Sequence, residues 1–189
     1  MSGWLTRRLL TQLLQTTTTR NMELNELNSY PGDFAEAEFL KCCGSQNWAH
    51  AMSASRPFLR VAELLEAADK VWWSLGEEDW LEAFRAHPKI GEKKAAAAQT
   101  EQAQTWSAQE QIGTQDASVN TMAALAAANK AYEERFGFIF IVCATGKSAA
   151  EMLTMLQARL ANDRATELRA AAEEQRKITR LRLEKLLSQ

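Results

Sequence analysis

Few residues in this chain have types and spacing suited to chemistry. The most suggestive sit in FRAHPKIGE at 84–92, where His87, one of only two histidines, stands directly before Pro88. A proline disfavours the helical conformation in the residue before it, so His87 belongs at a helix exit. An imidazole with a reference pKa near ~6.5 suits proton transfer around neutrality. Arg182 is the second candidate. It falls four residues from both Ile178 and Leu186, on the apolar stripe of a helix. A permanently charged guanidinium there either reaches water or an internal carboxylate, or offers a two-pronged fork to an anion, and the pattern alone does not separate these readings.

Ser107 and Glu110 form the S-x-x-E pattern of a capping box, which by itself explains both as the start of a helix. Gln111 beside them decides nothing. His50, in NWAHAM, reads as a helix-surface or packing residue. Cys42, Cys43 and Cys143 are odd in number, and none has the spacing of a zinc site. The adjacent pair has no flanking base or basic cluster, so buried, reduced thiols are expected rather than redox work. Trp72, Trp73 and Trp80 read as core packing. Glycine-rich phosphate loops, the nucleophile elbow and the H-E-x-x-H zinc signature are missing from the sequence.

The elements that would position these residues are helical. Apolar residues recur at three- and four-residue steps from Met22 onward. Asp33 is expected to cap a helix carrying Phe34, Ala37 and Leu40 that ends at Cys43 and Gly44. A short helix follows around Trp48 and Met52. Pro57 is expected in the first turn of a helix with Val61, Leu64, Leu65, Ala68 and Trp72 on one face. Residues 77–86 form the helix that ends at His87. Residues 92–106 have few large apolar side chains and read as a solvent-facing or mobile excursion that could cover a site.

Ser107 should then start a helix, followed by a longer one over 116–135 carrying Val119, Met122, Ala126, Asn129 and Tyr132 and ended by Gly137. Residues 138–144, FIFIVCA, are the only continuously apolar, β-branched run. No second run exists to pair with it, so an extended buried segment is expected, with backbone groups left to find other partners, a ligand among them. A capping box at Ser148 and Glu151 opens a helix with Met152, Leu156 and Leu160. The last helix, 165–187, has Leu168, Ala171, Ile178, Leu181, Leu186 and Arg182 inward, with Arg180 pointing the other way. The fold class is therefore all-α: a single-domain multi-helix bundle with one short extended apolar segment, 138–144.

Size and composition agree. With 189 residues, 46 % hydrophobic and 24 % charged, the chain fits one globular domain. A net charge of -2 without a basic stripe argues against nucleic acid. No apolar run reaches the ~20 residues of a membrane span. Residues 1–21 carry three arginines, no acid and a four-threonine run. They read as an amphipathic transit peptide or as a disordered or non-native extension; the second is adopted, with the domain at 22–189.

Taken in order, the motifs resemble one family. HPKIGE is similar to the H-P-[RK]-I-G-E signature of the decarboxylases of 2-oxo-4-hydroxy-4-carboxy-5-ureidoimidazoline (OHCU), which complete the route from urate to allantoin. The same resemblance extends through ELNSYPGDF at 26–34, S-x-x-E-Q at 107–111, RFGFIFIVCATGKS at 135–148, RLAND at 159–163 and I-x-x-L-R-L ending at Leu183. It implies an all-helical, cofactor-free and metal-free enzyme, commonly a homodimer. It further implies catalytic roles for His87, Glu110 and Arg182. Substrate contacts are implied for Pro88, Ser107, Gln111 and the backbone of Phe140, Ile141, Val142, Cys143 and Ala144. The C-terminal LLSQ lacks the S-K-L address and no hydroxyisourate hydrolase domain is appended, so a bacterial cytoplasmic form is expected. The competing reading is a non-catalytic helical module that binds a small anion or a partner helix through Arg182 and the tryptophans. A thiol-dependent redox protein using Cys42 and Cys43 is a third.

Overall fold

The computed structural model describes residues 23–90, 100–114 and 117–187. The expectations for residues 1–21, for the start of a helix at Asp116 and for most of a covering excursion before Thr100 lie outside these residues. Among the described residues there are nine α-helices, one 3-10 turn and no β-strand. They are α1 (Leu24–Ser29), α2 (Gly32–Cys42), α3 (Gln46–Ala54), α4 (Val61–Ser74), α5 (Glu77–Arg85), α6 (Glu101–Glu110), α7 (Val119–Phe136), α8 (Ala149–Arg159) and α9 (Arg164–Leu186). The 3-10 turn, Ile112–Thr114, follows α6. The all-α bundle is thus as expected.

The spine of the bundle is α9. It packs against α2, α4 and α5, while α2 lies on α3 and α7 on α8. Because α9 is enclosed on several sides, its buried set includes Leu168, Ala171, Ile178 and Leu183 together with Glu167, Glu174, Gln175, Thr179 and Arg182. So many buried polar groups on one helix require partners, and they mark where the molecule is built for more than packing. Arg180 does point away from Arg182, onto α4, where it shares Asp69 Oδ2 with Arg176 at 3.0 and 2.9 Å.

Aromatic burial supplies much of the core. Trp48, Trp72, Tyr132, Phe39 and Phe84 are essentially inaccessible, and a fully buried large apolar side chain contributes about 1.5–3 kcal/mol. The indole donors are satisfied internally: Trp48 Nε1 donates to Ala68 O at 3.2 Å, Trp72 Nε1 to Ala172 O at 2.9 Å and Trp80 Nε1 to Trp72 O at 3.1 Å. These tryptophans are core, as expected, and none presents a free polar edge to a partner.

Four local expectations are corrected. Asp33 does not cap α2; Pro31 holds the N-cap position, and the buried face is Ala35, Phe39 and Cys42, while Phe34 is 63 % exposed. Pro57 lies before α4 rather than in its first turn. That helix begins at Val61 with Arg60 as N-cap, where Glu63 reaches back to the Leu59 amide at 2.9 Å. On α7 the buried residues are Leu125, Tyr132 and Phe136, so Val119 and Ala126 face outward. The fourth correction concerns Ser107 and Glu110. They do not open a helix: Thr100 caps α6, its hydroxyl accepting from Ala103 N at 3.3 Å, and the S-x-x-E pair forms the last turn of that helix. Residues 101–106 are accordingly helix and not excursion.

Gly137, at φ 80°, ends α7 in the left-handed region and turns the chain into 138–144. That segment is extended without a strand partner, and Phe138, Phe140, Ile141, Val142, Cys143 and Ala144 are buried. Ser148 and Glu151 then make the anticipated capping box at α8.

Candidate active site

His87 is delivered by the end of α5. Its backbone N–H donates to Phe84 O at 3.0 Å, closing the last turn, and Pro88 prevents the helix from continuing. Behind the exit, Gly44 packs so tightly that a Cβ there would lie 2.2 Å from Ala86 Cβ. Ahead of it, Lys89 Nζ bonds Glu133 of α7 at 2.7 Å. The histidine is held between two fixed points.

Opposite stands the last turn of α6. The three-residue spacing of Ser107 and Glu110 places both side chains on one helical face, toward α9. Arg182 Nε donates to Glu110 Oε1 at 2.9 Å and Nη2 to Glu110 Oε2 at 2.8 Å, a bidentate fork, and Nη2 also reaches Ser107 Oγ at 3.0 Å. Arg182 is 3 % exposed, Ser107 3 % and Glu110 7 %. Two charges so deeply buried are tolerated because each neutralises and hydrogen-bonds the other.

The third wall is the extended segment. Arg159 fastens it from α8, donating from Nη1 to Ile141 O at 2.8 Å and lying over the Phe140 ring at 4.7 Å. Glu167, wholly buried, holds Arg159 in turn through a 2.7 Å bond to its Nε, while Asn162 and the Tyr132 hydroxyl donate to the same carboxylate. From the other side Cys143 N donates to Glu174 Oε2 at 2.8 Å, and Cys143 O accepts from Lys147 Nζ at 2.7 Å. Phe140 and Val142 make no backbone hydrogen bond among the described residues. Their peptide groups are left for a ligand.

These walls enclose a narrow cleft. His87, Pro88, Ser107, Glu110 and Gln111 line it from one side. Phe140, Ile141, Val142 and Ala144 line it from the other, and Ile90 and Ile178 complete it. Nine of the eleven residues singled out from sequence therefore meet. Cys143 does not line the cleft, since both of its peptide groups are engaged elsewhere. Arg182 stands one layer back: it grips Ser107 and Glu110 from behind, and its other side borders a separate cavity of about 260 Å³.

Electrostatics change the expectation for His87. Burial, and then the nearby Arg182 charge, push its pKa down to about 3, only partly offset by the polar side chain of Gln175 nearby. The ring is neutral near pH 7, and not poised to titrate there as the free side chain would be. The thiols are the reverse case. Burial raises Cys42 far above the usual range and Cys43 to about 11, so both are protonated, poor nucleophiles. The redox reading loses its chemistry. Among the described residues no three metal-ligating side chains converge, and no helix is long and apolar enough to cross a membrane. His50 is on the surface, paired with Glu36.

Sequence reasoning missed the residues that hold the walls: Arg159, Glu167 and Glu174. Glu174 was legible in principle, four residues before Ile178 and eight before Arg182 on the inward stripe of α9. An acid on such a stripe poses the same question as the arginine.

This helical chain brings together a histidine before a proline, a buried Ser-Glu-Arg cluster and an extended peptide wall, a set of groups suited to a small ligand and to acid–base work. Residues 28–184 match the sequence model of the OHCU decarboxylase family. The chain belongs to that family, as its motifs implied. It is 40 % identical over 157 residues to the uric acid degradation bifunctional protein TTL of Arabidopsis thaliana, covering 82 % of this chain and 48 % of that one. It thus spans about half the length of that relative. The 2-oxo-4-hydroxy-4-carboxy-5-ureidoimidazoline decarboxylase of Haloferax volcanii is 28 % identical over 165 residues, 86 % of this chain and 94 % of that one. Among solved structures, an OHCU decarboxylase crystallised in the presence of (S)-allantoin superposes with a TM-score of 0.70 at 40 % identity, over 80 % of this chain and 98 % of that one.

Proposed function

We propose that this protein decarboxylates OHCU to (S)-allantoin without a cofactor, the last step from urate to allantoin. The observation that carries this reading is the convergence of His87 and Pro88 with Ser107 and Glu110 on one cleft, the latter two held from behind by Arg182, in a chain of this family.

The substrate makes the chemistry accessible. Its C4 bears the carboxylate and a hydroxyl, and C5, which bears the ureido group, is doubly bonded to a ring nitrogen. When the C4–carboxylate bond breaks, its electron pair forms a C4–C5 double bond and the C–N π pair moves onto nitrogen, which takes up one proton. Carbon dioxide leaves. The C4 hydroxyl then loses its proton to become the carbonyl of allantoin, and C5 gains one on a single face, which sets the S configuration. The substrate is its own electron sink, so the protein has only to orient it, stabilise charge and move protons.

In this reading neutral His87 meets the C4 hydroxyl or the departing carboxylate. Glu110 and Ser107 hydrogen-bond the hydroxyl or ureido groups, and Gln111 extends that wall. Arg182 serves by pairing with Glu110 and aiming its carboxylate, one layer behind the ligand. The free peptide groups of Phe140 and Val142 fix the ring from the far side. Replacing Glu110 by Gln, or His87 by Ala, should lower kcat by about 10²–10⁴, the usual contribution of a positioned acid or base. Full turnover of OHCU in both variants would defeat the proposal. A homodimer in the cytoplasm belongs to the same reading, and sedimentation of the purified protein tests the first part of it.

The binding-module alternative gains nothing from the geometry. The Trp72 and Trp80 donors are tied to core carbonyls and its arginine to Glu110.

A further inference from the structure

The backbone of His87 is fixed by the end of α5 and by Pro88, but its ring needs a partner of its own. Gln175, Ile178 and Arg182 stand at i, i+3 and i+7 of α9 and so share one face, and Ile178 lines the cleft with His87. Gln175 is completely buried. Its Nε2 donates to Thr179 Oγ1, one turn on, at 3.2 Å, which orients the amide and turns Oε1 the other way. That oxygen is buried and accepts no hydrogen bond among the described residues. Buried amide oxygens are rarely left without a donor. The Gln175 side chain stands near enough to the His87 ring to oppose the downward push on its pKa, the sign expected of an acceptor oxygen turned toward a ring N–H.

We propose that Gln175 is a positioning residue for His87: its Oε1 accepts the ring N–H, fixes a single neutral tautomer and leaves the lone pair of the other nitrogen facing the cleft. A neutral imidazole has one donor and one acceptor. With its donor held by Gln175, His87 meets the substrate as an acceptor, suited to taking the C4 hydroxyl proton and not to protonating C5. The step assigned to His87 rests on the decarboxylase reading; the tautomer does not.

The test is ring ¹⁵N NMR of histidine-labelled full-length protein carrying His50→Gln, a surface change that leaves His87 as the sole histidine. At pH 7 the ring should show one tautomer and an N–H that exchanges slowly with water. Gln175→Leu should give mixed tautomers and a kcat for OHCU at least tenfold lower with KM changed less than threefold, whereas Gln175→Glu, which keeps an acceptor at the same reach, should retain the slow N–H. Mixed tautomers in the otherwise unchanged protein, or a single tautomer that survives Gln175→Leu, would overturn the assignment. If the leucine variant does not fold, the first spectrum decides alone. Inactivity toward OHCU with a single protected tautomer would instead count against the decarboxylase reading.

Discussion

At the scale of the residue, the buried pair Arg182 and Glu110 and the neutral His87 are the groups on which the proposed site rests, and each makes a distinct prediction. Removing one member of a buried ion pair leaves the other uncompensated, at a cost of about 3–5 kcal/mol. Arg182→Met should therefore unfold at markedly lower denaturant, while Arg182→Met with Glu110→Leu recovers most of that stability and none of the activity. Equal stability of the single and double variants in urea titrations would show that the pair is not what the buried site rests on. For His87 the folded pKa, about 3, lies below the unfolded value near ~6.5. Between those values the unfolded state binds the extra proton, so stability is complete above pH ~6.5 and falls as pH drops toward 3. His87→Gln should lose that component, giving a shallower decline of Tm with acid than the parent shows.

The residues of the site were legible for reasons of unequal quality. Pro88 correctly placed His87 at a helix exit, because the constraint of proline on its neighbour is local and steric. Ser107 and Glu110 came through a pattern that was misread: S-x-x-E places both groups on one helical face whether the helix begins or ends there. The weakly apolar residues before Ser107 concealed that the helix had already started at Glu101.

At the scale of the element, the decisive feature is the extended run at 138–144, buried without a strand partner. Its composition announced it, but what holds it did not, since Arg159, Glu167, Asn162 and Glu174 are remote in sequence and acquire meaning only once α8 and α9 pack. Arg159→Met would strip Glu167 of its charge partner and Ile141 O of its donor. Hydrogen exchange over 138–144 should accelerate and KM for OHCU rise, whereas unchanged protection there would deny the segment this anchor. The Gly44 contact belongs to the same scale. Gly44→Ala drives a methyl into Ala86 at the root of the His87 exit, and overpacking of this kind costs about 1–3 kcal/mol. Pro57 shows the limit of element reading: a fixed φ suits a helix's first turn and an extended approach equally, so proline alone did not place the start of α4.

At the scale of the whole molecule, helical periodicity conveyed the fold class because nearly every element is amphipathic about one core. It conveyed less about α9, which is enclosed on several sides and so carries polar residues on faces that pattern alone would assign to water. The depth of that core also protects the thiols. Native protein treated with iodoacetamide should retain its turnover, with Cys42 and Cys43 unmodified until denaturant is added. Rapid loss of activity would revive the thiol-dependent alternative.

The central claim is that this cleft directs one proton to one face of the decarboxylated intermediate. Circular dichroism of the allantoin formed while urate is oxidised through hydroxyisourate to OHCU in the same cuvette reads this directly, since unaided decay gives the racemate. The account predicts rapid growth of a signal of the S sign when the protein is present, lost in His87→Ala. Racemic product at the uncatalysed rate with the folded parent protein would contradict it.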